Sequence, residues 1–179
     1  MNIYYLCYLN YCLQEEINEN FPVWRQISSL GNNIMTHSIN KTTTMSQVDQ
    51  LETFRCLKDK RGSLCVAQSN LFHQSFDIKR VFWIYDVPED AVRGEHANRN
   101  CTELLVAVHG SVNVWLTDGQ SECEFILDDP QKGLYIPPMV WCRLTHFSKD
   151  CVCICMADKD YDEATYLNQY DDFIKETKQ

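Results

Sequence analysis

A short polar stretch in the middle of the chain contains residue types that could bind a metal ion or transfer protons. His96, Asn98, Glu103 and Gly110 follow the pattern His-x-Asn, four residues, Glu, six residues, Gly. Imidazole and carboxylate groups are metal ligands, and both also act as general acids and bases. Asn98, however, stands where a second His would complete a pair of ligands. Three interpretations are open: a metal site, a metal-free acid/base site, or a histidine with a structural role only.

A second stretch favours the metal-free interpretation. The pattern around His96 is similar to the first motif of cupin barrels, whose second motif places a His after a Pro-containing turn. Here "GLYIPPMVW" leads instead to Cys142. His96 and Glu103, with a possible Cys142 thiolate, are too few for a typical divalent-metal site, which has three or more ligands. We therefore expect no metal and no other cofactor, and an acid/base role for His96.

The elements that must position these residues are short strands. From Leu51 onward, apolar runs bounded by turn residues follow at intervals of about ten residues, which is typical of antiparallel sandwiches and barrels. "NVWLTDGQSECEFIL" predicts a hairpin with Asp118 and Gly119 at its tip. The fold class is therefore all-β, a cupin-type antiparallel β-barrel (jelly roll) with a C-terminal helix. The helix is predicted by apolar residues at helical spacing, namely Tyr166, Leu167, Tyr170, Phe173 and Ile174.

The N-terminal part of the chain differs from the rest in composition. Residues 1–45 are rich in Ser, Thr and Asn without periodicity, which predicts a poorly ordered or short-helical extension. We place the cupin-type domain at residues 46–179. The first residues lack a basic region and a cleavage site, so we expect neither a secretion signal nor a membrane span.

The net charge and the cysteine content bear on the protein's partners and on its cellular location. A net charge of −9 argues against a nucleic-acid partner, which requires a basic surface. The chain has ten cysteines, of which Cys151, Cys153 and Cys155 alternate and so share one face of a strand. We interpret the cysteines as small buried residues rather than a disulfide framework, and we expect a reducing, cytoplasmic location.

Several blocks in the same order carry a family resemblance. They are "DKRGSLCVAQ", "FDIKRVFWIYDVPEDAVRGEHAN", "ELLVAVHGSVNVWLTDG", "FILDDPQKGLYIPPMVWCRLTHFS" and "MADKDYDEATYLNQYDDF". Residues 52–175 resemble the dTDP-4-keto-6-deoxyhexose 3,4-ketoisomerases, a metal-free cupin group that includes the WxcM-like C-terminal domains. The resemblance implies an enzyme that moves a carbonyl from C4 to C3 of a nucleotide-linked sugar. In the family, the His that matches His96 is a candidate base, and a second His two residues later takes part in proton delivery.

Three positions depart from the family pattern. Asn98 can orient a sugar hydroxyl or polarise an enediolate oxygen, but it cannot relay a proton as imidazole does. Trp83 matches a frequent Tyr and can stack on a ligand but not donate a phenolic proton. Cys142 matches a frequent His; its thiol is either a replacement proton donor or one more small inward residue.

The remaining candidates are residues for substrate binding. Arg61, Arg80 and Arg93 lie in the family-like blocks, and arginine binds diphosphates through paired hydrogen bonds. Three further candidates for contact with the sugar or base are Glu103, Trp141 and Arg143.

The sequence thus predicts a metal-free 3,4-ketoisomerase of a dTDP-linked 4-keto-6-deoxyhexose, in deoxysugar or polysaccharide biosynthesis. One alternative is a non-catalytic sugar-nucleotide-binding module that has lost the proton shuttle, and another is a metal-dependent cupin enzyme. We expect a homodimer, because the edge strands of a small open barrel need to be covered.

Overall fold

The computed structural model describes residues 51–68 and 76–178. The predicted extension, residues 1–45, lies outside the described residues, so the domain boundary at residue 46 stays a prediction.

The described residues are folded mainly into strands. In chain order the strands are β1 (Leu51–Thr53), β2 (Arg55–Asp59), β3 (Gly62–Val66), β4 (Arg80–Ile84), β5 (Arg93–Asn98), β6 (Glu103–His109), β7 (Val112–Thr117), β8 (Glu122–Leu127), β9 (Lys132–Ile136), β10 (Trp141–Thr145), β11 (Val152–Ala157) and β12 (Tyr166–Leu167). The helix α1 (Tyr170–Thr177) follows at the C-terminal end.

Two antiparallel sheets enclose the core. The first sheet has the order β1-β9-β6-β11-β4 and the second has the order β12-β5-β10-β7-β8, while β2 and β3 form a separate two-stranded sheet. Apolar side chains from both large sheets, such as Leu105 and Leu134 of the first and Val114 and Leu144 of the second, form one buried cluster. Removal of these side chains from water is the main stabilising term for such a double-sheet domain. The prediction of an all-β antiparallel fold is confirmed.

The β7–β8 hairpin is confirmed. The two strands pair antiparallel, and the turn lies at Asp118 and Gly119 as predicted. The Asp118 carboxylate accepts hydrogen bonds from the backbone N–H groups of Gln120 and Ser121, both at 2.9 Å. Gly119 has a φ of +86°, a conformation that glycine adopts without a steric penalty.

The C-terminal helix is shorter than the sequence predicts. It spans Tyr170–Thr177, whereas Tyr166 and Leu167 form strand β12 and pair with Asn98 and Ala97 of β5. The assignment of these two residues to the helix was therefore wrong. The extended conformation turns alternate side chains to opposite faces, so Leu167 is buried under α1 while Tyr166 faces Arg80.

The prediction for the cysteines is correct in the barrel and wrong for one pair. Cys151, Cys153 and Cys155 are all buried in the core cluster. Cys56 and Cys65, however, lie directly opposite each other on β2 and β3 and form a disulfide.

Within the two described ranges, no helix is long and apolar enough to cross a membrane.

Candidate active site

A β-bulge in β5 determines the direction of His96. On the neighbouring strand, Cys142 pairs with His96 and Arg143 pairs with Gly94, so Glu95 is the extra residue between them. Gly94 and Glu95 have positive φ angles of +79° and +56°. Directly opposed residues share a face of a sheet, so the bulge places the His96 imidazole beside the inward-facing Cys142.

We expect Gly94→Ala to destabilise the protein by about 2 kcal/mol, because the substitution adds strain at a positive φ. A Cβ at this position would lie 2.9 Å from the Cys142 carbonyl oxygen and 3.3 Å from its sulfur. Urea unfolding measures the loss. Gly62→Ala is the matched control, since Gly62 also has a positive φ but has nothing within 4 Å of the added Cβ. An equal loss in both variants would show that the crowding at Cys142 is unimportant.

The His96 side chain lines two adjoining cavities of the barrel. Both are lined by His96, Glu103, Ile136 and Cys142. The other residues of the first are Asn98, Cys101, Pro137 and Val140, and those of the second are Phe82, Ile84, Gly94, Leu105, Leu144 and Cys155. A mostly apolar wall with a few convergent polar groups is typical of a small-molecule site.

Glu103 is the centre of a buried polar network that joins the two sheets. Its Oε1 accepts hydrogen bonds from Asn98 Nδ2 at 3.2 Å and from an Arg80 Nη2 at 3.4 Å. The same Arg80 nitrogen lies 3.1 Å from the Tyr166 hydroxyl. Two buried atoms of this network, Asn98 Oδ1 and Arg80 Nε, have no hydrogen-bond partner among the described residues. Because a buried polar atom without a partner is costly, Asn98 Oδ1 is suited to accept a hydrogen bond from a ligand.

Burial changes the acidity of Glu103. Removal from water raises the pKa of its carboxyl, while the nearby charges of His96 and Arg80 and the Asn98 hydrogen bond oppose the rise. The direction is upward because desolvation is the largest cause. Glu103 therefore keeps a proton to a higher pH than an exposed glutamate does.

Tyr166 is a member of the polar network beside His96 that the sequence analysis missed. Its ring centroid lies 5.0 Å from that of His96, and its hydroxyl accepts a hydrogen bond from Arg80. Burial raises the pKa of the phenol, against the effect of the Arg80 hydrogen bond. The signal that could have identified it is its position in "YDEATYLNQYDDF", a block that generic cupins do not share.

A comparison with models of protein families identifies the family of this chain. Residues 46–178 match the family model described as FdtA: WxcM-like, C-terminal. The chain belongs to the WxcM-like, C-terminal family. The family inferred from the sequence blocks is thus confirmed.

Individual relatives within and near this WxcM-like family are enzymes acting on nucleotide sugars. The chain is 42% identical over 122 residues to TDP-4-oxo-6-deoxy-alpha-D-glucose-3,4-oxoisomerase of Aneurinibacillus thermoaerophilus, covering 68% of this chain and 87% of the relative. A mutant 3,4-ketoisomerase of Thermoanaerobacterium thermosaccharolyticum, in complex with TDP-4-keto-6-deoxyglucose, is 36% identical with a TM-score of 0.69, covering 72% and 93% of the two chains. A 3,4-ketoisomerase of Helicobacter canadensis is 33% identical with a TM-score of 0.69, covering 73% and 97%.

Cys142 faces both cavities, but its thiol is a weak acid. The side chain is buried and lines both cavities. Burial raises the pKa of the thiol far above its ordinary value, and the carboxylate of Glu103 raises it further. The burial is that of a small inward residue, and the raised pKa makes the thiol a weak proton donor, so its catalytic role stays a prediction.

The three arginines have different surroundings. Arg80 is half-buried, and its guanidinium is held by Glu103 and Tyr166 rather than exposed to a phosphate. Arg61 lies at the β2–β3 turn, where it pairs with Asp59, and it does not line either cavity. Arg93 is exposed and pairs with Leu144, which lines the second cavity, so Arg93 lies on the same face of the sheet as that cavity.

Three predicted contact residues point away from the cavities. Trp141 lies on the outer face of β10 under α1, 5.1 Å from the Tyr170 ring centroid. Arg143, two residues on, is exposed and lies over the Trp115 ring at 4.7 Å. Trp83 is exposed, whereas its neighbours Phe82 and Ile84 face the second cavity. Alternation along a strand places all three on the outer face, so they do not line the cavities, and their contact with a ligand stays a prediction.

The described part of the chain contains no group of three or more His, Cys, Asp or Glu side chains that could hold a metal ion.

Proposed function

We propose that the protein is an isomerase that converts a dTDP-linked 4-keto-6-deoxyhexose to its 3-keto isomer. The observation that carries this proposal is the position of His96, which the β5 bulge turns into a partly open, largely apolar cavity beside Glu103 and Asn98. The named activities of the curated and structural relatives support the same reaction class.

The reaction requires a base that can also act as an acid. His96 takes the proton from C3, which lies next to the C4 carbonyl, and an enediol forms. The protonated imidazole then returns a proton to C4 while the carbonyl re-forms at C3. Imidazole suits both steps because its ordinary pKa lies near neutral pH. The apolar walls keep bulk water from the enediol.

The nucleotide is held outside the barrel. The cavities are small and lined mainly by apolar side chains, so we place the reacting carbons of the hexose beside His96 and the diphosphate on the exposed side, toward Arg93. Arginine can bind the two phosphates through paired hydrogen bonds. A relative in complex with TDP-4-keto-6-deoxyglucose supports this choice of ligand.

The proposal is tested by incubating the protein with dTDP-4-keto-6-deoxyglucose and following the ketone by 13C NMR. We expect the C4 carbonyl signal to decrease and a C3 carbonyl signal to appear. A C4 ketone that persists for hours while the ligand is bound would reject the isomerase and favour the non-catalytic binding module.

We further place the protein in the cytoplasm, where nucleotide sugars are made, as part of deoxysugar or polysaccharide biosynthesis. The buried free cysteines of the barrel agree with a reducing compartment. The disulfide between Cys56 and Cys65, in contrast, is typical of an oxidising compartment.

We also propose a homodimer that covers the outer face of β4. This strand lies at the edge of its sheet in the described part of the chain, and it exposes 63% of Trp83 and 49% of Val81. Exposed aromatic side chains on an edge strand are typical of contact surfaces.

Trp83→Glu is expected to shift the protein from dimer to monomer, because a buried carboxylate opposes association. Size-exclusion chromatography with light scattering at several concentrations measures the shift. The matched control is Ile126→Glu, since Ile126 is 60% exposed on β8 at the edge of the other sheet. If the wild type is monomeric, or if both variants dissociate equally, the proposed interface is wrong.

A further inference from the structure

The ketoisomerase reaction moves protons on oxygen as well as on carbon. The C4 carbonyl oxygen must gain a proton as the enediol forms, and the C3 hydroxyl must lose one as the new ketone forms. His96 occupies the position from which the carbon protons are transferred. Asn98, at the position where the family pattern has a second imidazole, cannot gain or lose a proton at neutral pH.

Asn98 is hydrogen-bonded to a group that can gain and lose a proton, the Glu103 carboxyl. Asn98 Nδ2 donates to Glu103 Oε1 at 3.2 Å, and Glu103 lines both cavities together with His96. Asn98 and Glu103 are each only 6% exposed. Among the residues that line the two cavities, Glu103 is the one carboxylic acid.

We propose that Glu103 is a second catalytic residue, which protonates O4 of the bound 4-keto sugar and removes the proton from its 3-hydroxyl. This inference rests on the proposed ketoisomerase function. Asn98 is the positioning residue that holds the carboxyl, and its buried Oδ1, which lacks a partner among the described residues, accepts a hydrogen bond from a sugar hydroxyl.

The proton transfers balance without a further reactant. In the first half, His96 takes the C3 proton, the C3–C4 double bond forms, and the neutral Glu103 carboxyl gives its proton to O4. In the second half, the carboxylate takes the proton from O3, the C3 carbonyl forms, and protonated His96 gives its proton to C4. Both side chains end in their starting states, and no electrons are gained or lost.

The groups around Glu103 set the protonation state that this mechanism requires. Facing the carboxyl are Arg80 of β4, His96 of β5, Cys101, Cys142 of β10, Cys155 of β11 and Tyr166 of β12. Burial raises the pKa of Glu103, whereas Arg80 and His96 oppose the rise. Since the starting acid is the neutral carboxyl, kcat is expected to fall as the pH rises through the pKa of Glu103.

Glu103→Gln tests the inference, because glutamine keeps the shape and a hydrogen bond to Asn98 but cannot exchange a proton. We expect kcat to fall about 10²-fold, within the usual range for loss of a general acid, while KM changes little. The decrease of kcat at high pH should disappear. In D2O, exchange at C3 should become faster than product formation, because His96 still removes the C3 proton.

The matched second variant is Asn98→His/Glu103→Gln, which restores a titratable group beside His96. It should recover about tenfold of the lost kcat, since an imidazole at position 98 can relay protons. If the single variant does not fold, the pH profile of the wild type and the kcat of the double variant decide. A wild-type kcat that stays constant at high pH, or wild-type activity in Glu103→Gln, would overturn the inference. Absence of turnover in the wild type would instead reject the ketoisomerase function itself.

Discussion

His96→Asn is expected to lower kcat by about 10³-fold while leaving the affinity for dTDP almost unchanged. In the proposed reaction His96 is the base and the acid for both carbon protons, and general acid/base residues typically contribute two to four orders of magnitude. The diphosphate contacts proposed for Arg93 lie on the exposed side and do not involve the imidazole. The rate is measured by NMR with dTDP-4-keto-6-deoxyglucose, and the affinity by isothermal titration with dTDP.

The matched control for His96 is His146→Asn. His146 is exposed outside both cavities, and its Nδ1 contacts Thr145. Both positions then carry the same substitution, and only the residue in the cavity should affect turnover. If His96→Asn turns over at the wild-type rate, another group is the base and the assignment of His96 fails.

Arg80→Leu is expected to lower the free energy of unfolding by about 3 kcal/mol at a pH above the pKa of Glu103, because it then leaves a buried carboxylate without its cation. The two side chains are 16% and 8% exposed, and their closest atoms lie 3.4 Å apart. Loss of one member of a buried pair costs more than the pair itself contributes. Urea unfolding at several pH values measures the change.

The pH dependence of this loss has a defined sign. Burial already raises the pKa of Glu103 in the folded state, and loss of the Arg80 charge raises it further. A folded state that binds the proton more tightly than the unfolded state is favoured as the pH falls. Arg80→Leu should therefore lose less stability near pH 4 than near pH 8.

The double variant Arg80→Leu/Glu103→Gln separates charge from packing. A neutral amide has no need of the arginine, so the double variant should recover most of the loss at a pH above the pKa of Glu103 and show a weaker pH dependence. An equal loss at all pH values, or no recovery in the double variant, would show that Arg80 acts through its packing alone.

The strand pattern and the turn residues predicted the class of fold. Apolar runs separated by turns correspond to β4, β6, β7, β8, β9 and β11, and the turn at Asp118 is where the sequence places it. The inward position of His96 also followed from the motif. These features are local, because they depend on the order of residues within one strand or one turn.

The faces of β10 and β4 could not be predicted in the same way. Whether Trp141 or Cys142 faces the cavity depends on the pairing of β10 with β5, which sets Cys142 opposite His96 and Trp141 opposite Ala97. Tyr166 was missed because its spacing from Tyr170 suits a helix as well as a strand. The contact between Arg80 and Glu103 joins β4 to β6, and no local pattern indicates it.

The network around Glu103 has a mechanical consequence. Arg80 and Glu103 belong to one sheet, and Asn98 and Tyr166 belong to the other, so their hydrogen bonds fasten the two sheets together at this end of the barrel. Arg93 takes no part in this network and is exposed. The network therefore resists separation of the two sheets beside His96, and in the proposed reaction it keeps the distance between the two proton-transferring groups constant.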